Sequence, residues 1–232
     1  MTSKLPDKRS NAQDIQAFLG KVKNTLPMTG AGKGRLIFAM DATASREHCW
    51  DMASQQHAAM FAEADTVSAL SVQLCYYRGM GEFKALPWTR GADEIKQALL
   101  SVRCLAGQTQ IAKVLTHALG ETRSNKVNAL VFIGDCVEEN QDSLGALAGQ
   151  LGILNLPLFI FQEGNDLKVE KVFSQLAKLS GGAHCRFDEG SARQLGHLLA
   201  AVAIYATGGK PALKNNLLSK NASVQRLLQQ LK

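Results

Sequence analysis

Asp41, Thr43 and Ser45 alternate in the stretch DATAS, directly after the apolar run RLIFAM. Two further oxygen donors stand at comparable places. Thr109 lies in AGQTQI, a glycine-bearing loop ahead of a helical pattern, and Asp135 follows the apolar run VNALVFIG. Carboxylates and hydroxyls suit a hard cation such as Mg²⁺, which takes oxygen ligands in near-octahedral array and keeps several waters. Asp41 and Asp135 together carry two formal negative charges, enough to balance such an ion. Helix capping is the competing reading of DATAS, because Asp, Thr and Ser favour strand-to-helix turns. No capping box supports it: Arg46 stands three residues after Thr43, and His48 three after Ser45. Glu138 and Glu139 lie just beyond Asp135 and either edge the same site or belong to a solvated turn. His48 is a neighbour of the ligands or a surface histidine of the following helix.

The preceding stretch, GAGKG at residues 30–34, looks like a phosphate loop but fails as one. A phosphate loop needs Gly-x-x-x-x-Gly-Lys-Ser/Thr between a strand and its helix. Here Gly32-Lys33 is followed by Gly34, Pro27 stands where the first glycine belongs, and the cluster precedes the strand. Its N–H groups therefore do not point from a helix N-terminus. It reads as a flexible linker.

The elements that must carry these donors follow from hydrophobic spacing. RLIFAMD, TVSALSVQLCYY, VNALVFIGD, LPLFIFQ and AHCRF read as strands, and the continuous apolar runs suit buried parallel positions. RGMG turns the chain so that EFKAL returns as a short antiparallel strand. Helical periodicity marks residues 45–63, with Trp50 on the apolar side, GADEIKQALLSV, QIAKVLTHALGET, VEKVFSQLAKLSGG and SARQLGHLLAAVAIYA. Ile15, Phe18, Leu19 and Val22 form one more apolar stripe near the N-terminus. Strand–helix alternation predicts an α/β, Rossmann-like, doubly wound sheet, mostly parallel with one short antiparallel strand and helices on both faces. The division expected is an N-terminal helical extension and linker over 1–34, one domain over 35–205, and a basic tail over 206–232.

Composition narrows the function classes. Among 232 residues, 46% are hydrophobic and 20% charged, which supports a packed core and argues against global disorder. Five cysteines, an odd number without Cys-x-x-Cys, argue against a disulfide framework and a zinc ribbon. Cys136 adjoins Asp135, and a packing role fits it better than a redox one. The start of the chain lacks the apolar core of a secretory signal, and no apolar run reaches the length of a membrane span. The chain reads as soluble and cytoplasmic. The net charge of +6 is concentrated at the ends. Residues 1–34 carry six Lys/Arg against two acids, and residues 208–232 carry five Lys/Arg and no acid, so the rest sums to −3. That distribution, with no recognised nucleic-acid motif, argues against nucleic-acid binding.

In open α/β sheets ligands bind beyond the carboxyl ends of the strands. All three donor loops are assigned to that edge. The set resembles the von Willebrand factor A (VWA) domain and its metal-ion-dependent adhesion site, whose pattern is Asp-x-Ser-x-Ser, a distant Thr and a distant Asp. Asp41, Thr43 and Ser45 match the first element with Thr in place of the first Ser; Thr109 and Asp135 match the others. Gly134-Asp135-Cys136 stands where the family often has Thr-Asp-Gly. The resemblance, to the bacterial intracellular type, spans about residues 35–205. It implies a divalent-metal-dependent docking module rather than an enzyme. The ion implied by the resemblance is Mg²⁺, with Mn²⁺ or Ca²⁺ as alternatives, its coordination completed by an Asp or Glu of a protein partner. ATPase or chaperone-type components are the partners implied. Two alternatives stay open: a metal-dependent phosphoryl-transfer or hydrolytic enzyme, and a metal-free scaffold. The first would want a base or nucleophile near the ion. Thr43 occupies the second position of the Asp-x-Asp that would favour a phosphatase, and no Gly-x-Ser-x-Gly elbow occurs.

Overall fold

The computed structural model describes residues 34–47, 70–187 and 206. The helix expected near the N-terminus, most of the helix expected over 45–63 with His48 and Trp50, the last helix apart from Ala206 and the basic tail lie outside the described residues.

Six strands form one sheet: β1 (Gly34–Asp41), β2 (Leu70–Arg78), β3 (Glu82–Ala85), β4 (Ala129–Gly134), β5 (Leu158–Glu163) and β6 (Ala183–Phe187). Their order is β3-β2-β1-β4-β5-β6. All neighbours run parallel except β2 and β3. Among the described residues, four α-helices of two turns or more accompany them: α1 (Ala92–Ser101), α2 (Ile111–Ser124), α3 (Gln141–Ile153) and α4 (Leu167–Leu179). The fold class read from the sequence is the one observed. Gly34, placed in the linker by its neighbours, is the first residue of β1.

The apolar runs become central strands because both of their faces are covered. Ile37, Ala39, Cys75, Tyr77, Leu130, Phe132, Leu158 and Ile160 pack into one cluster with the inner faces of α2, α3 and α4. Leu36, Phe38, Met40, Val131, Ile133, Phe159 and Phe161 point the other way and are also buried. Ile95 and Leu99 of α1 are buried beside β2 and lie outside the first cluster. Phe173 of α4 ties that cluster together: its ring meets Phe132 edge-on at 5.7 Å and His184 at 6.3 Å.

Helix ends follow local chemistry. Asp166 caps α4 by accepting from the N–H groups of Lys168 and Val169. The same helix ends at Gly181, with φ +77°, where Gly181 N–H donates to Lys178 and Gly182 N–H to Ala177. This is the glycine C-cap that LSGG predicts. The β2–β3 turn uses Gly79 and Gly81, both at positive φ. Hydrophobic spacing does not mark one helix, α3. In α3 the buried stripe is only Leu144, Ala148 and Leu151, and glycines and alanines around the helix blur its period. Its usable signal is Asn140, whose side chain accepts from Ser143 N–H as an N-cap.

The order of the strands sets the location of the site. From β1 the chain goes to β2 and β3 on one side, then crosses to β4 on the other. The switch point lies between the carboxyl ends of β1 and β4, where open α/β sheets bind ligands. Asp41 ends β1, and Asp135 follows β4.

Phe173→Ala removes the ring shared by α4, β4 and β6. It is expected to cost about 3–5 kcal/mol, read as a lower urea midpoint with an unchanged slope.

Candidate functional site

Asp41 is fully buried, with its side chain on the face shared by Ile37 and Ala39. Register places it opposite Tyr77 of β2. The consequence is direct: Tyr77 Oη donates to Asp41 Oδ2 at 2.8 Å, and Thr43 N–H donates to Oδ1 at 2.7 Å. Burial nevertheless pushes the Asp41 carboxyl above its usual range, against the hydrogen bonds from Thr43 and Tyr77 and the charge of Arg46. Burying a carboxylate costs several kcal/mol, whereas each such hydrogen bond returns about 1.5–3 kcal/mol. The compensation is incomplete. Tyr77 is held protonated by its own burial, reinforced by Asp41, Glu139 and Asp135.

The hydroxyls of DATAS are not spent on capping. Thr43 takes the N-cap position of a single 3₁₀ turn, Ala44–Arg46, yet makes no cap hydrogen bond. Its Oγ1 faces Ser45 Oγ at 3.1 Å, and Ser45 is exposed. The turn is held by Arg46, which is almost wholly buried. Its Nη1 donates to the Asp41 carbonyl at 2.6 Å and its Nε to Glu163 Oε2 at 2.6 Å. That ion pair fixes the loop to the end of β5.

The Thr109 and Asp135 loops are joined reciprocally. Thr109 N–H donates to Glu138 Oε2 at 2.8 Å, and Glu138 N–H donates to Thr109 Oγ1 at 3.0 Å. Glu139 then caps α2, accepting from Ile111 N–H at 2.7 Å and Ala112 N–H at 2.8 Å. A carboxylate there also meets the positive end of the helix dipole. Gly107 lets the Thr109 loop close: a Cβ on it would stand 2.0 Å from the Gly79 carbonyl oxygen. Gly134 does the same for β4, since a Cβ there would lie 2.8 Å from the Phe132 ring and 3.5 Å from Asp41 Cβ.

Asp135 is half-buried, and its Oδ1 is buried with no hydrogen-bond partner. A buried, unsatisfied carboxylate oxygen is expensive. It sits one residue from the glycine that packs on Asp41. The structure thus gathers Asp41, Thr43, Thr109 and Asp135 on one edge, with Ser45 exposed beside Thr43. Two carboxylates, one of them with an orphaned oxygen, and neighbouring hydroxyls fit a hard divalent cation. Among the described residues, no three His, Cys, Asp or Glu side chains converge into a metal-holding group. Coordination of an ion here would draw on hydroxyls or water beside the carboxylates. Cys104 and Cys136 flank this edge; burial pushes the Cys104 thiol up to about 11 and raises that of Cys136.

No protein-family model matches the sequence, and no curated protein is similar to it in sequence. Solved structures are similar in shape. The SpRpn10 VWA domain superposes with a TM-score of 0.57 at 13% identity, over 72% of this chain and 93% of that one. A von Willebrand factor type A protein from Catenulispora acidiphila gives a TM-score of 0.60 at 14% identity, over 75% of this chain and 43% of its own. This is the von Willebrand factor A fold. Proximal thread matrix protein 1 from the mussel byssus, described with a zinc-occupied metal-ion-dependent adhesion site, gives a TM-score of 0.56 at 13% identity, over 75% of this chain and 48% of its own. The chain thus spans nearly all of the SpRpn10 domain but less than half of the other two.

Sequence spacing proposes five donors but does not reveal the residues that hold their loops. Glu138 and Glu139, first read as rim or solvated turn, lace the Thr109 loop and α2 to the β4–α3 loop. Tyr77, Arg46 and Glu163 also went unassigned. Their contacts between elements span 27 to 117 positions of sequence, where no local period reports them. The one cue in the sequence is position: Tyr77 and Asp41 each close a predicted strand, and the observed register sets them opposite one another.

Glu139→Gln leaves one oxygen where two N–H groups need acceptors. It is expected to lower stability by about 1–2 kcal/mol, measured by urea unfolding.

Proposed function

We propose that this VWA-fold chain is a divalent-metal-dependent protein-docking module. The observation that carries the reading is the unsatisfied buried Oδ1 of Asp135 on the same edge as the incompletely compensated Asp41. Thr43, Ser45, Thr109 and Asp135 are the residues that would hold the ion. Asp41 would support it through the network it shares with Thr43 and Tyr77. Mg²⁺ is the ion proposed, given an all-oxygen donor set; Mn²⁺ offers a spectroscopic substitute. Bound there, the ion supplies an electrophilic point for an acidic side chain of a protein partner. The unit proposed to do this is the domain over 35–205.

The chain's own residues give the site its selectivity. Hydroxyls rather than further carboxylates leave the ion short of negative charge. Affinity then depends on ion and partner carboxylate together, and a partner lacking either contact is rejected. An acidic partner meets Asp41, Asp135, Glu138 and Glu139 as repulsive charges when no cation is present. A docking role also agrees with the thiols: Cys104 is held protonated near neutral pH and is a poor nucleophile. No helix among the described residues is long and apolar enough to cross a membrane.

Two measurements test this reading. Saturating Mg²⁺ should raise the melting temperature over chelator by roughly 5 °C at a hundredfold excess over Kd. Thr109→Ala should abolish most of that rise; a wild type indifferent to Mg²⁺ and Mn²⁺ contradicts the metal site. The second concerns pH. The Asp41 carboxyl is raised in the fold, so the native state binds more protons than the unfolded chain between pH 3.8 and that raised value. Stability in chelator should therefore fall as pH rises through this window. Asp41→Asn keeps an acceptor for Thr43 N–H and a donor for the Tyr77 oxygen. It should flatten the fall in stability and remove the Mg²⁺ effect.

A further inference from the structure

Two large apolar side chains stand exposed at the same end of the sheet. Met80 is 82% exposed and Leu105 is 51% exposed. They belong to one platform. Gly79 N–H donates to the Leu105 carbonyl at 3.2 Å, and Leu105 N–H donates to the Ala42 carbonyl at 3.1 Å. The Leu105 side chain covers Gly79, its Cδ2 only 2.9 Å from where a Cβ would be. Gln110 Nε2 bonds the Gly79 carbonyl, and Gly107 packs on the same peptide. Gly79 and Gly81, at φ +60° and +112°, hold the turn that carries Met80 outward. Leu105 is thus bonded to the residue after Asp41, and Met80 is bonded through its neighbours to the loop that carries Thr109.

Most of Met80 and about half of Leu105 stay open to solvent. Met80 is the most exposed large apolar residue among those described. An exposed thioether is adaptable, and methionine is enriched at recognition surfaces. Charge adds a direction. The Lys113 ammonium sits at the same turn, bonded to the Gly81 carbonyl at 2.6 Å and to Gln110 Oε1 at 2.9 Å. Among the described residues it meets no carboxylate. One flank of the metal edge is therefore an apolar shoulder with a lysine at its tip, and the other flank is the acidic pair Glu138 and Glu139.

We propose that the docking partner presents an acidic residue together with a large apolar side chain a short distance along the same segment. The carboxylate faces the ion, and the apolar side chain covers Met80 and Leu105. Negative charge beyond it is favoured by Lys113. This rests on the metal-docking reading above and names the chemistry of its partner. A polyacidic segment without an apolar residue leaves the shoulder wet and binds weakly. A basic segment meets Lys113 and the cation as like charges.

The test uses the full chain and a phage-displayed random peptide library, selected in Mg²⁺ and counter-selected in chelator. Enriched sequences are expected to pair Asp or Glu with Leu, Ile, Phe or Met at a fixed short spacing. A synthetic copy of the strongest should bind about tenfold more weakly to the Met80→Ser/Leu105→Ser chain. Ile153→Ser, which alters an exposed apolar residue at the opposite end of α3, should change nothing. Both variants alter exposed positions, and their melting temperatures check the fold. Acidic sequences without an apolar partner, indifference to the double substitution, or no enrichment overturns the proposal. Mn²⁺ binding to the peptide-free chain separates the two claims. If Mn²⁺ binds wild type and double variant alike while the peptide ignores the substitutions, the shoulder alone is refuted. If Mn²⁺ does not bind, the docking reading falls and takes the shoulder with it.

Discussion

The Asp41 carboxylate is buried at the end of the central strand, and much of the surrounding structure answers to that charge. Tyr77 is held opposite it by strand register. Thr43 folds its N–H back onto it, which starts the turn. Arg46 returns to the Asp41 carbonyl and anchors the turn to Glu163. Breaking a buried pair of this kind by removing one partner costs about 3–5 kcal/mol. The ion pair is therefore a fastening for the loop rather than a surface ornament. Yet burial still outweighs these contacts at the carboxyl itself. A divalent cation is the species that would complete the balance, for Asp41 and for the orphaned oxygen of Asp135 together.

The topology explains why this charge lies at an opening rather than inside the core. β1 and β4 are neighbours in the sheet but far apart in the chain, and the connections leaving them diverge. Their carboxyl ends leave a crevice at the switch point of the sheet. It is bridged by hydrogen bonds between loops. The reciprocal pair between Thr109 and Glu138, and the cap that Glu139 places on α2, set the position of a hydroxyl with carboxylates from another element. Such a site is stiff because helix, strand end and loop are locked to one another. It remains accessible because Ser45 and the rim of the Thr109 loop face solvent.

The fold was legible because its central strands are continuous apolar runs and most of its helices carry a clear stripe. RLIFAMD and VNALVFIGD announce buried parallel strands, and VEKVFSQLAKLSGG announces both a helix and its end. α3 was not legible, because glycine and alanine dilute its stripe and only Asn140 marks its start. At the candidate site, the places of Asp41 and Asp135 at strand ends and of Thr109 before a helix could be read directly. The holding residues could not. Glu138 and Glu139 are adjacent acids that look like a solvated turn until α2 is brought beside them. Arg46 looks like a surface helix residue until Glu163 arrives from 117 positions away. Long-range pairing of charges leaves no period in a sequence, whereas burial of a strand or helix face does.

The central claim is that one divalent cation sits at this edge, held by oxygens from three separated loops. Crystals of the full chain soaked in Mn²⁺ test it most directly, through the anomalous scattering of the metal. The account predicts a single strong peak bounded by Thr43, Ser45, Thr109 and Asp135, with Asp41 behind it, that disappears in crystals of Thr109→Ala. An edge without a peak at saturating Mn²⁺, or a peak at another cluster with this one bare, would contradict it.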